Sequence, residues 1–179
     1  MQTRCALVGM PGSGKTTVGR QLARRLQLPF VDMDQRLEEV LGTSIRQYFE
    51  ECGEAAFRDH EQALLAELAA QDGPVVLSTG GGVVLREVNR AALRTGFDTV
   101  LYLRATPEDL MRRLRHDQNR PLLQVEDPLG RLRELYRVRD PLYREVAQHC
   151  VESPRPTVHG LVSMAAMQLE MTAAARRRR

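Results

Sequence analysis

Residues 9–16 read Gly-Met-Pro-Gly-Ser-Gly-Lys-Thr, which matches the pattern GxxxxGK[ST]. The run Arg4–Val8 before this stretch predicts a buried strand, and residues 15–26 after it predict an amphipathic helix. A glycine-rich turn between a strand and a helix directs backbone N–H groups and the positive end of the helix dipole towards one point. The stretch therefore predicts a phosphate-binding loop of the P-loop type, at which a nucleoside triphosphate binds.

The residues around this loop narrow the class of protein. Lys15 offers a compact positive charge to the β- and γ-phosphates, and Thr16 offers a hydroxyl ligand for Mg²⁺. The third glycine of the dinucleotide pattern GxGxxG would fall on Thr17, which disfavours a Rossmann loop. Lys15 is the only lysine in the sequence, so the NKxD segment of GTPases is absent. No predicted strand ends in the acidic pair typical of motor and AAA-type ATPases. Of the P-loop classes considered, a small-molecule kinase is the one that remains.

Composition and charge exclude several other classes. The 179 residues are 42% hydrophobic and 27% charged, which is typical of one globular domain. The apolar runs are too short for a membrane span, and the N-terminus does not read as a signal peptide. Cys5, Cys52 and Cys150 are odd in number and far apart, which favours a reducing cytoplasm over a disulfide scaffold. Without Arg176–Arg179 the formal charge of +3 would be −1, so we expect residues 172–179 to form a disordered tail.

Short apolar runs alternate with helical periodicity along the chain. The predicted strands are Arg4–Val8, Phe30–Asp32, Val75–Ser78, Thr99–Leu103 and a short strand at Cys150 and Val151. The predicted helices span residues 15–26, 35–41, 44–70 with a break near Gly53, 86–94, 106–115, 129–147 and 158–171. This alternation predicts a single α/β domain over residues 1–179, with a parallel sheet and helices on both faces. Residues 34–70 and 116–128 are predicted insertions, the second a lid.

The second predicted strand ends in Asp-Met-Asp at residues 32–34. Alternate residues of a strand point to one side, so Asp32 and Asp34 would both face the carboxyl edge of the sheet. Carboxylates at that place suit two roles, which are to orient Mg²⁺ and to accept the proton of an attacking hydroxyl. A cap for the following helix explains an Asp equally well, and both interpretations stay open.

Four further features are candidates for the acceptor side of a kinase site. Arg58 and Glu61 share a helical face, where Arg58 suits a carboxylate ligand, although the residues alone favour a solvated ion pair. Gly80–Gly82 has more glycines than a tight turn needs, which favours a ligand against the backbone. Arg120 lies in the predicted lid and could close over a phosphate. Arg139 lies just before a proline that predicts a bend or a new start of its helix.

Taken together, these motifs resemble the shikimate kinase family over nearly the whole chain. In the order of the family they are GMPGSGKT at 9–16, DMD at 32–34, FRDHE at 57–61, GGG at 80–82, RPLL at 120–123 and RDPLY at 139–143. The resemblance implies a P-loop fold like that of nucleoside monophosphate kinases, with a five-stranded parallel sheet in the order 2-3-1-4-5. It also implies transfer of the γ-phosphoryl group of ATP to the 3-hydroxyl of shikimate, with Mg²⁺, on the route to aromatic amino acids. We expect a cytoplasmic monomer without membrane or nucleic-acid partners.

The resemblance also assigns roles to individual residues. Those expected at the nucleotide are Gly12, Ser13, Gly14, Lys15, Thr16, Thr17, Arg120 and Arg155, with Arg112 or Arg113 as a further adenine contact. Those expected at the acceptor are Asp34, Phe49, Phe57, Arg58, Gly80, Gly81, Gly82 and Arg139. Mg²⁺ would be held by Thr16 and by Asp32 through water, with a water-mediated contact from Ser78. The implied catalytic residues are Asp34 as the base, Lys15, and Arg120 on the transferring phosphate.

Three alternatives remain at this level. Another P-loop kinase of sugars or polyols, such as a gluconate kinase, would share the loop, the fold and the lid. A catalytically idle module would bind ATP without turnover of any acceptor. A nucleic-acid-binding role would rest on Arg176–Arg179 and would depend strongly on salt.

Overall fold

Strands and helices alternate along the chain, as the hydrophobic pattern predicts. The computed structural model describes residues 3–114, 126–152 and 157–177. The strands are β1 (Arg4–Val8), β2 (Phe30–Asp32), β3 (Val75–Ser78), β4 (Thr99–Leu103) and β5 (His149–Val151). The helices are α1 (Lys15–Leu26), α2 (Met33–Leu41), α3 (Ile45–Ala70), α4 (Glu87–Gly96), α5 (Pro107–Leu114), α6 (Pro128–Val146) and α7 (Val158–Arg177), with a 3-10 turn at Val83–Leu85.

The five strands form one parallel sheet in the order β2-β3-β1-β4-β5, which confirms the predicted order. The central strand β1 pairs with both β3 and β4, so that Ala6 lies opposite Leu77 on one side and Val100 on the other. Alternate residues of β1 enter different apolar clusters. Ala6 and Val8 pack in the cluster covered by α2 to α6, whereas Leu7 packs in the cluster covered by α1 and α7. Both faces of the sheet are therefore buried, and binding groups gather at its edges.

Side-chain caps fix the starts of α2 and α3, the helices that carry Asp34 and Arg58. Asp32 ends β2 and caps α2, since its Oδ1 accepts hydrogen bonds from the N–H groups of Asp34 at 3.0 Å and Gln35 at 3.3 Å. α2 consequently begins at Met33, two residues earlier than predicted, and Asp34 lies in the first helical turn instead of extending the strand. α3 is capped by Ser44 and is broken at Gly53, where φ is 82°, as the sequence predicts.

The end of the chain differs from the prediction. α7 continues to Arg177, past the predicted end at residue 171, so the predicted disorder of residues 172–179 is wrong as far as the structure describes that segment. Three alanines at residues 173–175 explain the continuation, because alanine has the highest intrinsic helix propensity. Arg120 with most of the predicted lid, and Arg155, lie outside the described residues. Within the described ranges, no helix is both long and apolar enough to span a bilayer.

Arg4 ties α3 and α4 to the amino end of β1. Its guanidinium donates hydrogen bonds to three carbonyl oxygens, those of Leu68 at 2.6 Å, Gly96 at 2.8 Å and Gly73 at 2.9 Å. The first two carbonyls belong to the last turns of α3 and α4, where helical partners are missing. The guanidinium also lies 5.1 Å from the ring centroid of Phe97. Arg4 therefore holds in place the helix that carries Arg58.

We expect Arg4→Ala to lower the free energy of unfolding by about 2 kcal/mol, because it leaves helix-end carbonyls without their donors. Urea unfolding followed by circular dichroism measures the change. Arg24→Ala, on the exposed face of α1, is the matched control and should change stability by less than about 0.5 kcal/mol. Equal effects of both variants would show that the contacts of Arg4 contribute nothing specific.

Candidate functional site

The phosphate-binding loop joins β1 to α1 at the carboxyl edge of the sheet. Gly14 is the N-cap of α1 and has φ of 95°, a left-handed conformation that side chains other than glycine rarely adopt. The ammonium group of Lys15 is buried and donates hydrogen bonds across the loop to the carbonyl oxygens of Gly9 at 2.9 Å and Met10 at 3.0 Å. Arg113 donates to the carbonyl oxygen of Ser13 at 3.2 Å. The loop is thus closed around its own lysine.

The Ser13 hydroxyl marks the interior of this loop as a polar site. It is buried and has no hydrogen-bond partner within the part of the chain that the structure describes. A side chain at Gly9 would come within 3.1 Å of that hydroxyl, so the hydroxyl lies over the start of the loop. An unpaired donor, a buried ammonium and the positive end of α1 are a set of groups that fits a phosphate chain.

Three side-chain oxygens meet beside the loop. The Thr16 hydroxyl donates to Asp32 Oδ2 at 2.7 Å and lies 3.4 Å from the Ser78 hydroxyl. Asp32 Oδ1 caps α2 while Oδ2 faces Thr16, so the cap is confirmed, and the contact to Mg²⁺ stays a prediction that this cap does not exclude. Hydroxyl and carboxylate oxygens are the ligands that Mg²⁺ takes, and Mg²⁺ completes its shell with water and phosphate. These residues therefore fit the predicted metal.

The glycine run after β3, residues 80–82, brings the separate acceptor candidates together. A β-carbon at Gly80 would come within 3.0 Å of both Asp34 Oδ1 and Glu61 Oε1. A β-carbon at Gly82 would overlap the guanidinium group of Arg58. The glycines are needed here because functional side chains lie directly against the backbone, and a tight turn alone would not require them.

Arg58 lies at the centre of this pocket. Its guanidinium binds Glu61 Oε2 at 2.7 Å and Glu54 Oε1 at 3.0 Å, and it lies 5.9 and 5.3 Å from the ring centroids of Phe49 and Phe57. The side chain of Arg58 is 12% exposed and that of its partner Glu61 is 1% exposed. The solvated surface pair that the spacing alone favours is therefore wrong for these two residues. The two phenylalanines stack at 4.6 Å and form one apolar wall.

The two carboxyl groups beside the glycine run have perturbed acidities. Removal from water raises the pKa of Asp34, the charge of Lys15 opposes that rise, and Asp32 adds to it. Asp34 is an exposed residue, but the protein around it still disfavours its charge. Burial likewise raises the pKa of Glu61, and Arg58 opposes this rise. Asp34 is thus the more accessible of two carboxyl groups that hold their protons more tightly than usual.

Arg139 reaches the same pocket from α6. It acts on the pKa of Glu61 in the same direction as Arg58, so two arginines from distant parts of the chain converge on one carboxylate. Its Nε is buried and has no hydrogen-bond partner among the described residues. α6 continues through Pro141 to Val146, so the predicted new start of the helix at that proline is wrong. An unpaired guanidinium N–H in this place is suited to an anionic ligand.

Not every candidate from the sequence is brought to the site. Arg112 forms an ion pair with Asp109 on the surface, whereas Arg113 contacts the loop. Arg120 and Arg155 fall outside the described residues. The sequence signals Glu61 only through its spacing from its arginine partner. The sequence gives no separate signal for Tyr143, the last residue of RDPLY.

Comparisons with known proteins agree with this geometry. The profile of the family described as shikimate kinase matches residues 11–169. A shikimate kinase of Paracidovorax citrulli is 58% identical over 168 residues, which cover 92% of this chain and 91% of the relative. The solved structure of shikimate kinase from Acinetobacter baumannii in complex with shikimate has a TM-score of 0.88 and 40% identity, and the match covers 97% of this chain and 95% of that one. A gluconokinase from Sinorhizobium meliloti 1021, with a TM-score of 0.62, 20% identity and 97% coverage of both chains, shares the fold alone.

The raised pKa of Asp34 predicts how its removal affects stability. A carboxyl group whose pKa is higher in the folded than in the unfolded chain holds its proton more tightly when folded, so its contribution to stability is lost as pH rises through the folded value. At about pH 7 we therefore expect Asp34→Asn to be at least as stable as the wild type, and the difference to shrink towards about pH 4. Urea unfolding at both pH values measures this.

Asp72→Asn, in the exposed loop after α3, is the control for loss of one carboxylate. We expect this variant to show no pH-dependent gain in the free energy of unfolding. A clear loss of stability in Asp34→Asn near neutral pH would mean that the folded chain stabilises this charge.

Proposed function

This chain belongs to the shikimate kinase family, and we propose that it transfers the γ-phosphoryl group of ATP to the 3-hydroxyl of shikimate. The observation that carries the proposal is the pocket beside the phosphate-binding loop, in which Asp34 and Arg58 lie against the glycine run and Arg139 acts on the same Glu61 as Arg58. Shikimate offers the matching groups, a single carboxylate and a ring with hydroxyls. The similar kinase from Acinetobacter baumannii was solved in complex with shikimate, which supports the same acceptor here.

In this proposal the carboxylate of shikimate is held by Arg58 and Arg139. Guanidinium groups bind carboxylates through paired, charge-assisted hydrogen bonds, which fix both position and orientation. Glu61 orients Arg58, because the pair is short and almost fully buried. The ring lies against Phe49 and Phe57, and the backbone of the glycine run completes the pocket. Binding at the carboxylate end then presents a hydroxyl towards the phosphates.

Asp34 is the proposed catalytic base. The hydroxyl oxygen of the acceptor bonds to the γ-phosphorus, the bond from that phosphorus to the β–γ bridging oxygen breaks, and ADP leaves. The hydroxyl proton passes to Asp34, whose raised pKa makes it a better proton acceptor than an ordinary aspartate. Asp34 lies against Gly80 on the acceptor side of the cleft, and the phosphate-binding loop lies on the other side.

The residues of the loop bind the nucleotide in this proposal. Lys15 and the backbone of residues 12–17 contact the phosphates, and Arg113 supports the loop from outside. Thr16, Asp32 and Ser78, whose oxygens meet beside the loop, would hold Mg²⁺, with Thr16 as the direct ligand. Mg²⁺ would supply positive charge that offsets the charge of the phosphates.

Three further expectations from the sequence stay proposals. Arg120 would act as the lid residue on the transferring phosphate, and Arg155 as an adenine contact. The enzyme is proposed to be a cytoplasmic monomer. Its three cysteines are free, which suits a reducing compartment.

An acceptor panel tests the proposed function. ADP release is followed in a coupled assay with ATP and Mg²⁺, with shikimate, quinate and gluconate as parallel acceptors. We expect turnover that depends on shikimate and is lost without Mg²⁺, and little or none with gluconate. Turnover with gluconate but not shikimate would replace the proposal with a sugar-acid kinase. ATP binding without turnover of any acceptor would point to an idle nucleotide-binding module.

Arg58→Lys separates a carboxylate clamp from a structural ion pair. Lysine keeps the positive charge beside the buried Glu61 but loses paired hydrogen bonding, so we expect KM for shikimate to rise about tenfold. KM for ATP should stay within about twofold of the wild type. With an acceptor whose carboxylate is replaced by a hydroxymethyl group, the same variant should differ little from the wild type.

Arg46→Lys, in the exposed part of α3, is the matched control and should leave both KM values unchanged. If Arg58→Lys raises KM equally for both acceptors, Arg58 serves the fold and does not bind the carboxylate.

A further inference from the structure

Tyr143 on α6 contacts the acceptor pocket, and the proposed function assigns no role to it. It is fully buried, and its hydroxyl donates a hydrogen bond to the carbonyl oxygen of Gly81 at 2.5 Å. That carbonyl belongs to the peptide unit that also contains the N–H of Gly82, the residue against the Arg58 guanidinium. Because a peptide unit is planar, a bond that fixes the carbonyl of Gly81 also fixes the direction of the next N–H.

The glycine run needs such a fixed point. Glycine has no side chain to restrict its backbone, so successive glycines leave the peptide planes between them free to rotate. On the far side of the run, a side chain at Gly81 would overlap the ring of Pro11, which confines the chain sterically but orients no polar group. The hydroxyl of Tyr143 is the side-chain donor that the described residues place on this carbonyl.

Tyr143 also faces Arg139, which lies one helical turn before it on α6. A tyrosine hydroxyl has one proton, and since that proton goes to Gly81, its oxygen remains an acceptor for a guanidinium N–H. The electrostatics agree: burial raises the pKa of Tyr143, and the charge of Arg139 opposes that rise. The hydroxyl of Tyr143 thus keeps an accepting oxygen for a donor such as Arg139, one helical turn away, while its proton lies on the glycine run.

The ring of Tyr143 is itself held in place. It packs against the ring of Tyr102 on β4, with centroids 5.0 Å apart and an angle of 34° between the planes. The hydroxyl of Tyr102 donates to Asp140 Oδ1 at 2.8 Å, and Arg144 donates to Asp140 Oδ2 at 2.7 Å. The ring contact seats Tyr143 against the sheet, whereas the hydroxyl of Tyr102 forms a separate link from β4 to α6 through Asp140.

We propose that Tyr143 is a positioning residue that couples the two halves of the shikimate pocket. Its hydroxyl sets the peptide plane of the glycine run next to Arg58 and, at the same time, the guanidinium of Arg139. The inference rests on the proposed function, since it concerns the binding of the same acceptor. The hydroxyl of Tyr143 bonds to the glycine run and is not part of the phosphate-binding loop, so we expect it to affect acceptor binding more than the chemical step.

Tyr143→Phe tests this, because it removes the hydroxyl and keeps the ring. We expect KM for shikimate to rise about five- to tenfold, as for the loss of one hydrogen bond to a binding group. kcat should fall by less than about threefold, and KM for ATP should stay unchanged. Tyr102→Phe is the matched control, since it removes a hydroxyl from the other ring of the same buried pair but leaves Gly81 and Arg139 untouched. Its KM for shikimate should stay within about twofold of the wild type.

A double-mutant cycle with Arg139→Lys tests the coupling. If the hydroxyl acts through Arg139, Tyr143→Phe should raise KM clearly less in the Arg139→Lys background than in the wild type. Fully additive effects, or equal KM increases in Tyr143→Phe and Tyr102→Phe, would overturn the inference. If the wild type turns over shikimate and Tyr143→Phe has the same KM as the wild type, the inference is overturned but the proposed function stands. No turnover of shikimate by the wild type would overturn the proposed function together with it.

Discussion

The acceptor pocket depends on the ion pair between Arg58 and Glu61, which is buried against a backbone without side chains. A carboxylate as enclosed as Glu61 costs free energy unless it is paired, and its raised pKa reflects that cost. Two arginines act on it, Arg58 directly and Arg139 through space. Arg58 divides its charge between Glu61 and the exposed Glu54, whereas the Nε of Arg139 is buried without a partner among the described residues. Arg139 therefore offers the donor that a small anion in this pocket can take.

The topology of the sheet explains why this pocket lies beside the phosphates. β1 and β3 are neighbours in a parallel sheet, so the loop after β1 and the glycine run after β3 leave the same edge. Contact between Pro11 and Gly81 marks the place where they touch. α3 is held near its carboxyl end by Arg4, and its residue Arg58 lies against Gly82 in the glycine run. Groups that are distant in sequence meet because each follows the end of an adjacent strand or packs against one.

The sequence predicts those parts of the fold that local chemistry decides. Glycines at fixed positions define the phosphate-binding loop, and short apolar runs define the strands, so the loop and the strands lie where the sequence predicts them. The order of the strands is implied by the resemblance to the family, and it is confirmed. Features that depend on tertiary contacts are harder to predict from the sequence. The burial of Glu61 cannot be read from its spacing to Arg58, because an exposed pair and a buried pair have the same spacing. The hydroxyl of Tyr143 is assigned a partner only when α6 meets the glycine run. The predicted end of α7 is too early, because a prediction from the charged tail neglects the helix propensity of three alanines.

The start of α2 shows how a local cap divides two carboxylates between two tasks. Had β2 continued, Asp32 and Asp34 would have pointed the same way and competed for one partner. Because Asp32 caps α2 with one oxygen, the chain turns into a helix at once, and Asp34 moves onto the first turn. Asp32 then keeps its second oxygen for Thr16 on the nucleotide side, whereas Asp34 lies against Gly80 on the acceptor side. The cap and the proposed catalytic role are thus not alternatives, since the cap produces the separation that a proposed base distinct from the proposed metal contact requires.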